Sequence, residues 1–157
     1  MAHLQYRAAV ASDIAACVAL RGMTRENAVS VARLASLGIT VESWSKDVES
    51  GHLPGHLCVD GDRLAGYCFG DRRSGEIVVV ALLPAYEGRG IGKAVLSLVV
   101  KELRSAGFQR LYLGCSSNPS HRSHGFYRHL GWSSTGSRDE RGDEILELTG
   151  LQEAGGA

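Results

Sequence analysis

The chain has 157 residues, the length of one domain, and its 44 % hydrophobic and 22 % charged residues suit a packed core and exclude a disordered chain. Seventeen Lys and Arg balance seventeen Asp and Glu, so the net charge is zero, which excludes the broad basic surface of a general nucleic-acid or anionic-membrane binder. The longest apolar run, Ile77 to Ala85, falls far short of the ~20 residues that a spanning helix needs.

Tyr6 to Val10 reads as an opening strand. Ser12 is the expected N-cap of a first helix, with Asp13 in its first turn, where negative charge suits the helix dipole. Ile14, Cys17, Val18 and Arg21 then recur at helical spacing, and Gly22 ends the run. A second helix is expected from about Glu26 to Leu37, with Gly38 as its stop. Thr40 caps a third, Val41 to about Glu49, which presents Val41, Trp44 and Val48 on one face. From His56 the period changes to that of strands. His56 to Asp60 and Arg63 to Gly70 flank Asp60-Gly61-Asp62, a hairpin signal because Asp-Gly tolerates the positive φ of tight turns.

Glu76 to Leu83 is a continuous apolar run after its first residue, as expected of a strand in mid-sheet buried on both faces, and Pro84 helps to end it. The next helix is the clearest, with Ile91, Ala94, Val95, Leu98, Val99 and Leu103 as one apolar stripe and Gly107 as its stop. Arg110 to Cys115 reads as a strand, Ser120 to Leu130 as a helix, and Asp143 to Thr149 as a closing strand. Residues 138–141 form a charged tip before that strand. The expectation is one mixed α/β (α+β) domain over residues 1–150, followed by a frayed tail over 151–157.

Cys17, Cys58, Cys68 and Cys115 lie far apart with no C-x-x-C pair, and the first residues show no charged-then-apolar signal pattern. Buried free thiols in a cytoplasmic protein are therefore expected. His121 and His124 share a helical side but His129 lies well around from them, so no metal site is expected. Trp44 is expected in the core.

The chemistry is most legible at Pro84-Ala85-Tyr86-Glu87-Gly88-Arg89-Gly90-Ile91-Gly92-Lys93. Here a strand enters a turn with glycines at alternate positions, and the turn opens an amphipathic helix. Uncovered backbone N–H groups and a helix N-terminus together make a phosphate site. A P-loop would need Gly at 87 and Ser or Thr at 94, where the chain has Glu87 and Ala94. The dinucleotide fingerprint G-x-G-x-x-G fails from both starts, at Lys93 and at Val95.

With these residues the chain resembles the GNAT superfamily of acyl-CoA-dependent N-acetyltransferases, whose turn reads Q/R-x-x-G-x-G/A. Glu87 departs from that pattern, and its side chain is expected to point away from the pyrophosphate. The opening Arg7-x-Ala9-x-x-x-Asp13, the hairpin and Gly131-Trp132 extend the likeness over most of the chain.

The resemblance implies a largely antiparallel central sheet, splayed at the acyl-CoA site and flanked by helices. It implies that Leu82 and Leu83 border the acyl-CoA, Leu82 offering main-chain groups to the pantetheine arm and the acetyl carbonyl. Gly88, Gly90, Gly92 and Lys93 would bind the pyrophosphate through their amides, with Arg89, Ile91 and Ala94 lining the site. Tyr127, in Phe126-Tyr127-Arg128-His129-Leu130-Gly131-Trp132, corresponds to the family tyrosine that protonates the departing thiolate. A phenol with a pKa of about 10 suits that task.

Glu76 stands where one branch of the family has its general base, although other members use water there. Asn118 resembles an asparagine that contacts CoA, but it stands farther before Tyr127 than is usual. The implied activity is acetyl transfer from acetyl-CoA, as co-substrate and without metal, to a primary amine of a small molecule. An acyl-CoA sensor without turnover is the alternative. Homodimers are common in the family and are one expectation here.

Overall fold

The computed structural model describes residues 3–25 and 28–149. The start of the expected second helix, at residues 26 and 27, and the tail over 151–157 lie outside the described residues.

Strand β1 (Leu4–Ala8) leads through a 3-10 turn at Ala11–Asp13 into helix α1 (Ile14–Arg21). Ser12 does not cap this helix as expected. Instead the Asp13 carboxylate accepts the Val10 N–H at 2.8 Å and is gripped by both terminal nitrogens of Arg7 at 2.8 and 2.9 Å. The two-pronged pair ties the end of β1 to the entry of α1. Helix α2 (Val31–Ser36) starts later than the apolar spacing suggested, because the Ser30 hydroxyl takes the Arg33 N–H and fixes the first turn there. Helix α3 (Val41–Ser50) begins at the expected cap, where Thr40 and Ser43 exchange side-chain and backbone hydrogen bonds at 3.0 Å. Gly51 ends it in the left-handed region, at φ 85°.

Strands β2 (Gly55–Asp60) and β3 (Arg63–Gly70) form the expected hairpin, with Asp60 opposite Arg63 and Gly61 at φ 60°. With β4 (Ile77–Leu82) they make an antiparallel sheet in the order β1-β2-β3-β4. Helix α4 (Ile91–Ser105) packs on this sheet. Its buried face is Ile91, Gly92, Val95, Leu96, Val99, Val100 and Leu103, whereas Ala94 and Leu98 are only half-buried. The stripe is thus turned toward Leu96 and Val100 from the one the sequence suggested. Strand β5 (Leu111–Cys115), helix α5 (Arg122–His129), strand β6 (Ser133–Arg138) and strand β7 (Glu144–Leu148) follow, and the second sheet runs β5-β7-β6. The tip between β6 and β7 is the expected charged turn.

The core joins α1, α4 and both sheets through Ile14, Phe69, Val95, Val99, Leu113 and Leu146, all 2 % exposed or less. Trp44 packs edge-on against Phe69 at 5.2 Å between centroids, on the core side of α3. All four cysteines are buried and unpaired. Among the described residues, no helix is long and apolar enough to cross a membrane and no group of three His, Cys, Asp or Glu residues could hold a metal ion.

One expectation fails in an informative way. Strand β4 is not a mid-sheet strand buried on both faces, for Val78, Val79, Val80 and Leu82 are all half-buried. It is the last strand of its sheet, and the strand beyond it pairs with it only where both begin.

Candidate active site

The two sheets meet at one parallel bridge between Glu76 and Tyr112, where the Tyr112 N–H donates to the Gly75 carbonyl at 3.3 Å. Beyond it β4 and β5 diverge. The gap opens into a cleft of about 1130 Å³, walled on one side by Ile77 to Leu82 and on the other by Leu113 to Ser116. The apolar run that suggested a central strand therefore serves as a cleft wall. The outer edge of β4 carries backbone groups that this sheet leaves unpaired, which suits an extended ligand laid alongside it.

At the mouth of the cleft, a 3-10 turn at Pro84–Tyr86 passes into Glu87-Gly88-Arg89-Gly90 and then into α4. Gly88 and Gly90 have φ of 78° and 80°, a conformation in which a side chain is strained, and Gly90 is the N-cap of α4. A Cβ at either position would meet nothing within 4 Å, so these glycines serve backbone conformation and access rather than packing. Helix geometry leaves the amides of Ile91, Gly92 and Lys93 without intrahelical partners, and all three residues line the cleft. Fifteen residues of aligned peptide dipoles add partial positive charge at this end. The chemistry of this donor set fits a pyrophosphate.

Glu87 lines the same mouth but is not a bare charge. Its carboxylate pairs with Arg25 at 2.8 Å and with Arg122 at 3.4 Å, and its side chain is only 14 % exposed. Two guanidiniums, one from the segment between α1 and α2 and one from α5, thus offset its charge. Arg89 instead lies over the Tyr86 ring, 5.1 Å from its centroid, with Arg63 over the same ring at 5.7 Å. The Tyr86 hydroxyl in turn donates to Asp60 at 2.6 Å, which holds that carboxyl below its ordinary value.

Of the cofactor residues expected from sequence, the fold brings Leu82, Gly88, Gly90, Ile91, Gly92 and Lys93 to the cleft. Leu83, Arg89, Ala94 and Asn118 are not among its lining residues. Leu83 donates its N–H to Ala65 on β3 at 3.0 Å, and the side-chain oxygen of Asn118 is taken by the Ser120 N–H and hydroxyl at 3.0 and 2.8 Å. Sequence reasoning missed Ser123, whose hydroxyl is shut from solvent on the cleft wall without a partner among the described residues. A lone serine in a polar helix start gives no pattern that would single it out.

Tyr127 projects from α5 into the cleft wall and is 8 % exposed. Phe126 and Trp132 fix its ring edge-on at 5.0 and 6.1 Å. Burial raises its pKa strongly, the nearby Cys68 and Cys115 raise it further, and Arg21 opposes them. The phenol therefore stays neutral and keeps a proton to give. Glu76 lies at the closed end of the split, outside the cleft lining. Burial raises its pKa, with Asp71 adding to the effect and Arg141 opposing it. Besides Glu87 at the mouth, Asp143, which packs beside Gly114 of β5, is the carboxylate among the cleft-lining residues.

Among curated protein sequences none matches this chain. Solved structures match its fold closely. The PaiA N-acetyltransferase of Thermoplasma acidophilum, in complex with coenzyme A, superposes with a TM-score of 0.78 at 17 % identity, covering 94 % of this chain and 99 % of that one. An N-acetyltransferase from Staphylococcus aureus Mu50 gives 0.74 at 16 % identity over 94 % and 98 %. YncA, a putative acetyltransferase of Salmonella typhimurium with its cofactor acetyl-CoA, gives 0.70 at 19 % identity over 94 % of each chain. At such identities the likeness is one of fold. The sequence itself matches the family model of the acetyltransferase (GNAT) family over residues 20–132. That stretch contains both strands of the split, the glycine turn and Tyr127, so the chain belongs to the acetyltransferase (GNAT) family.

Proposed function

We propose that the cleft binds acetyl-CoA and transfers its acetyl group directly to the primary amine of a small molecule. The observation that carries this reading is the opening between β4 and β5, with a phosphate-binding turn at one end and a buried phenol on its wall. The coenzyme A and acetyl-CoA of the PaiA and YncA structures support it.

Gly88, Gly90 and the first amides of α4 would hold the pyrophosphate, with Lys93 adding charge. The Ser123 hydroxyl, without a partner among the described residues, would find one in the ligand. The pantetheine arm would run along the open edge of β4, and the Leu82 main chain would orient the thioester. A neutral amine then attacks the carbonyl carbon, and the new C–N bond forms as the carbonyl electron pair moves to oxygen. When that pair returns, the C–S bond breaks and the thiolate takes the phenolic proton of Tyr127. The surplus proton on the new amide nitrogen passes to the phenolate, which leaves a neutral amide, a thiol and the phenol restored. An ordinary thiol titrates near ~8.5, well below a buried phenol, but the dry wall that raises the phenol raises the thiolate as well.

The amine must first lose a proton. Asp143 lines the cleft, while Glu76 lies behind it with a raised pKa, so both are candidates to accept that proton. Incubation with acetyl-CoA and a panel of amines, scored by thiol release and product mass, tests the reading. Turnover on a small amine supports it. Tight CoA binding with no turnover on any amine would replace it with an acyl-CoA sensor. The pH dependence of kcat/KM in Glu76→Gln and Asp143→Asn then separates the bases, because only loss of the true base removes the acidic limb.

A further inference from the structure

We propose that the acceptor half of the cleft selects amines that carry a carboxylate, which Arg141 and Arg33 receive in an outer subsite; this rests on the transferase reading above. A second cavity of about 480 Å³ adjoins the cleft and shares Val29 and Arg141 with it. Arg33 of α2 lines it together with Arg141. Arg141 thus borders both spaces.

The charges in this half are one-sided. Lys93, Arg25 and Arg122, with Glu87, belong to the phosphate end. Among the described residues, what remains to line this half is Arg141 and Arg33 with the carboxylate of Asp143, and Arg21 on the wall. Glu76 and Asp139 lie near Arg141 but line neither cavity. Arg21 is half-buried beside Tyr127, and burial lowers its pKa, yet a guanidinium remains charged in a protein. A diamine would bring its second cation to Arg33 and Arg141. An amine with a carboxylate at its far end would place its ammonium near Asp143 and its anion between Arg33 and Arg141.

The platform for Arg141 is built, not loose. One Asp139 carboxylate oxygen accepts the N–H groups of both Arg141 and Asp143 at 2.9 Å. Arg138 braces the same tip by donating to the Gly142 carbonyl and the Ser117 hydroxyl, each at 3.0 Å. Arginine matches a carboxylate with two parallel hydrogen bonds, so such a subsite gives position as well as affinity.

The test uses ω-amino acids from β-alanine to aminohexanoate, each beside the alkylamine and the diamine of matching length, at saturating acetyl-CoA. The expected result is a preference in kcat/KM of about tenfold or more for one amino acid over its alkylamine, as one charge-assisted contact supplies. In Arg141→Gln and Arg33→Gln, that preference shrinks through a raised KM for the amino acid. Equal rates for acid and alkylamine, or a preference for the diamine, would overturn the carboxylate subsite and leave the transferase reading standing. CoA binding without thiol release from any amine would overturn the transferase reading itself, and this inference with it.

Discussion

Tyr127 shows how one side chain's surroundings limit what it can do. Its ring is held by Phe126 and Trp132, and burial keeps its hydroxyl protonated at rest at neutral pH. Tyr127→Phe keeps the ring and loses only the proton, so the fold should survive. The expected outcome is a fall in kcat of about a hundredfold or more with little change in the KM for acetyl-CoA, the range for a lost general acid. An acetyl thioester with a more acidic thiol should restore most of the rate, because its thiolate needs no proton. Loss of rate with both thioesters would mean that Tyr127 only shapes the wall. The glycines of the turn were legible at this scale because their spacing alone carries the chemistry. Arg89 was not, since its place over Tyr86 depends on Asp60, twenty-six residues before the tyrosine.

The glycine turn works as an element, and Gly90 is its test position. At φ 80° an alanine carries strain of about 1–2 kcal/mol, with no steric clash to add, since its Cβ meets nothing within 4 Å. Gly90→Ala should therefore lower Tm by only a few degrees while raising the KM for acetyl-CoA out of proportion, because the amides that follow would be re-aimed. Gly66 is the opposite case. Its added Cβ would lie 2.3 Å from Leu82 and 3.4 Å from Ile91, so a methyl there pushes on the cleft wall itself. Elements with local signals were read correctly from sequence: the hairpin turn, the Thr40 cap, and α4 as a helix. Strand β6 was missed because Ser-Ser-Thr-Gly-Ser-Arg has no apolar alternation, and it is held instead by β7, including the Thr135 hydroxyl on the Ile145 carbonyl at 2.9 Å. The reading of β4 failed for a related reason. A valine run buried between two strands and one lining a cleft look alike in sequence, and only the course of β5 distinguishes them.

Over the whole molecule, stability and function meet at the split between the two sheets. Asp13 has its pKa lowered chiefly by Arg7, so its contribution is complete above the unfolded value of about 3.9 and is lost as pH falls through its lower folded value. Glu76 acts in the opposite sense. Its folded pKa is raised, so stability increases as pH falls through that value, down to the unfolded value of about 4.3. Urea midpoints across pH should thus pass through a maximum in the weakly acidic range. Asp13→Asn should weaken the decline on its acid side, and Glu76→Gln should flatten the rise toward it. A ligand bridging the split adds a larger effect. Among the described residues, β4 and β5 share only the Glu76–Tyr112 bridge, so acetyl-CoA between them would supply contacts that neither sheet gives the other. A ligand that binds only the folded state adds about 2.7 kcal/mol at a hundred times its Kd. For a chain of this length each kcal/mol raises Tm by about 2–4 °C, so saturating CoA should raise it by roughly 5–10 °C. ATP lacks the pantetheine arm and should give much less. An equal shift with ATP would mean that the turn alone binds the ligand, and that the split is not where the arm lies.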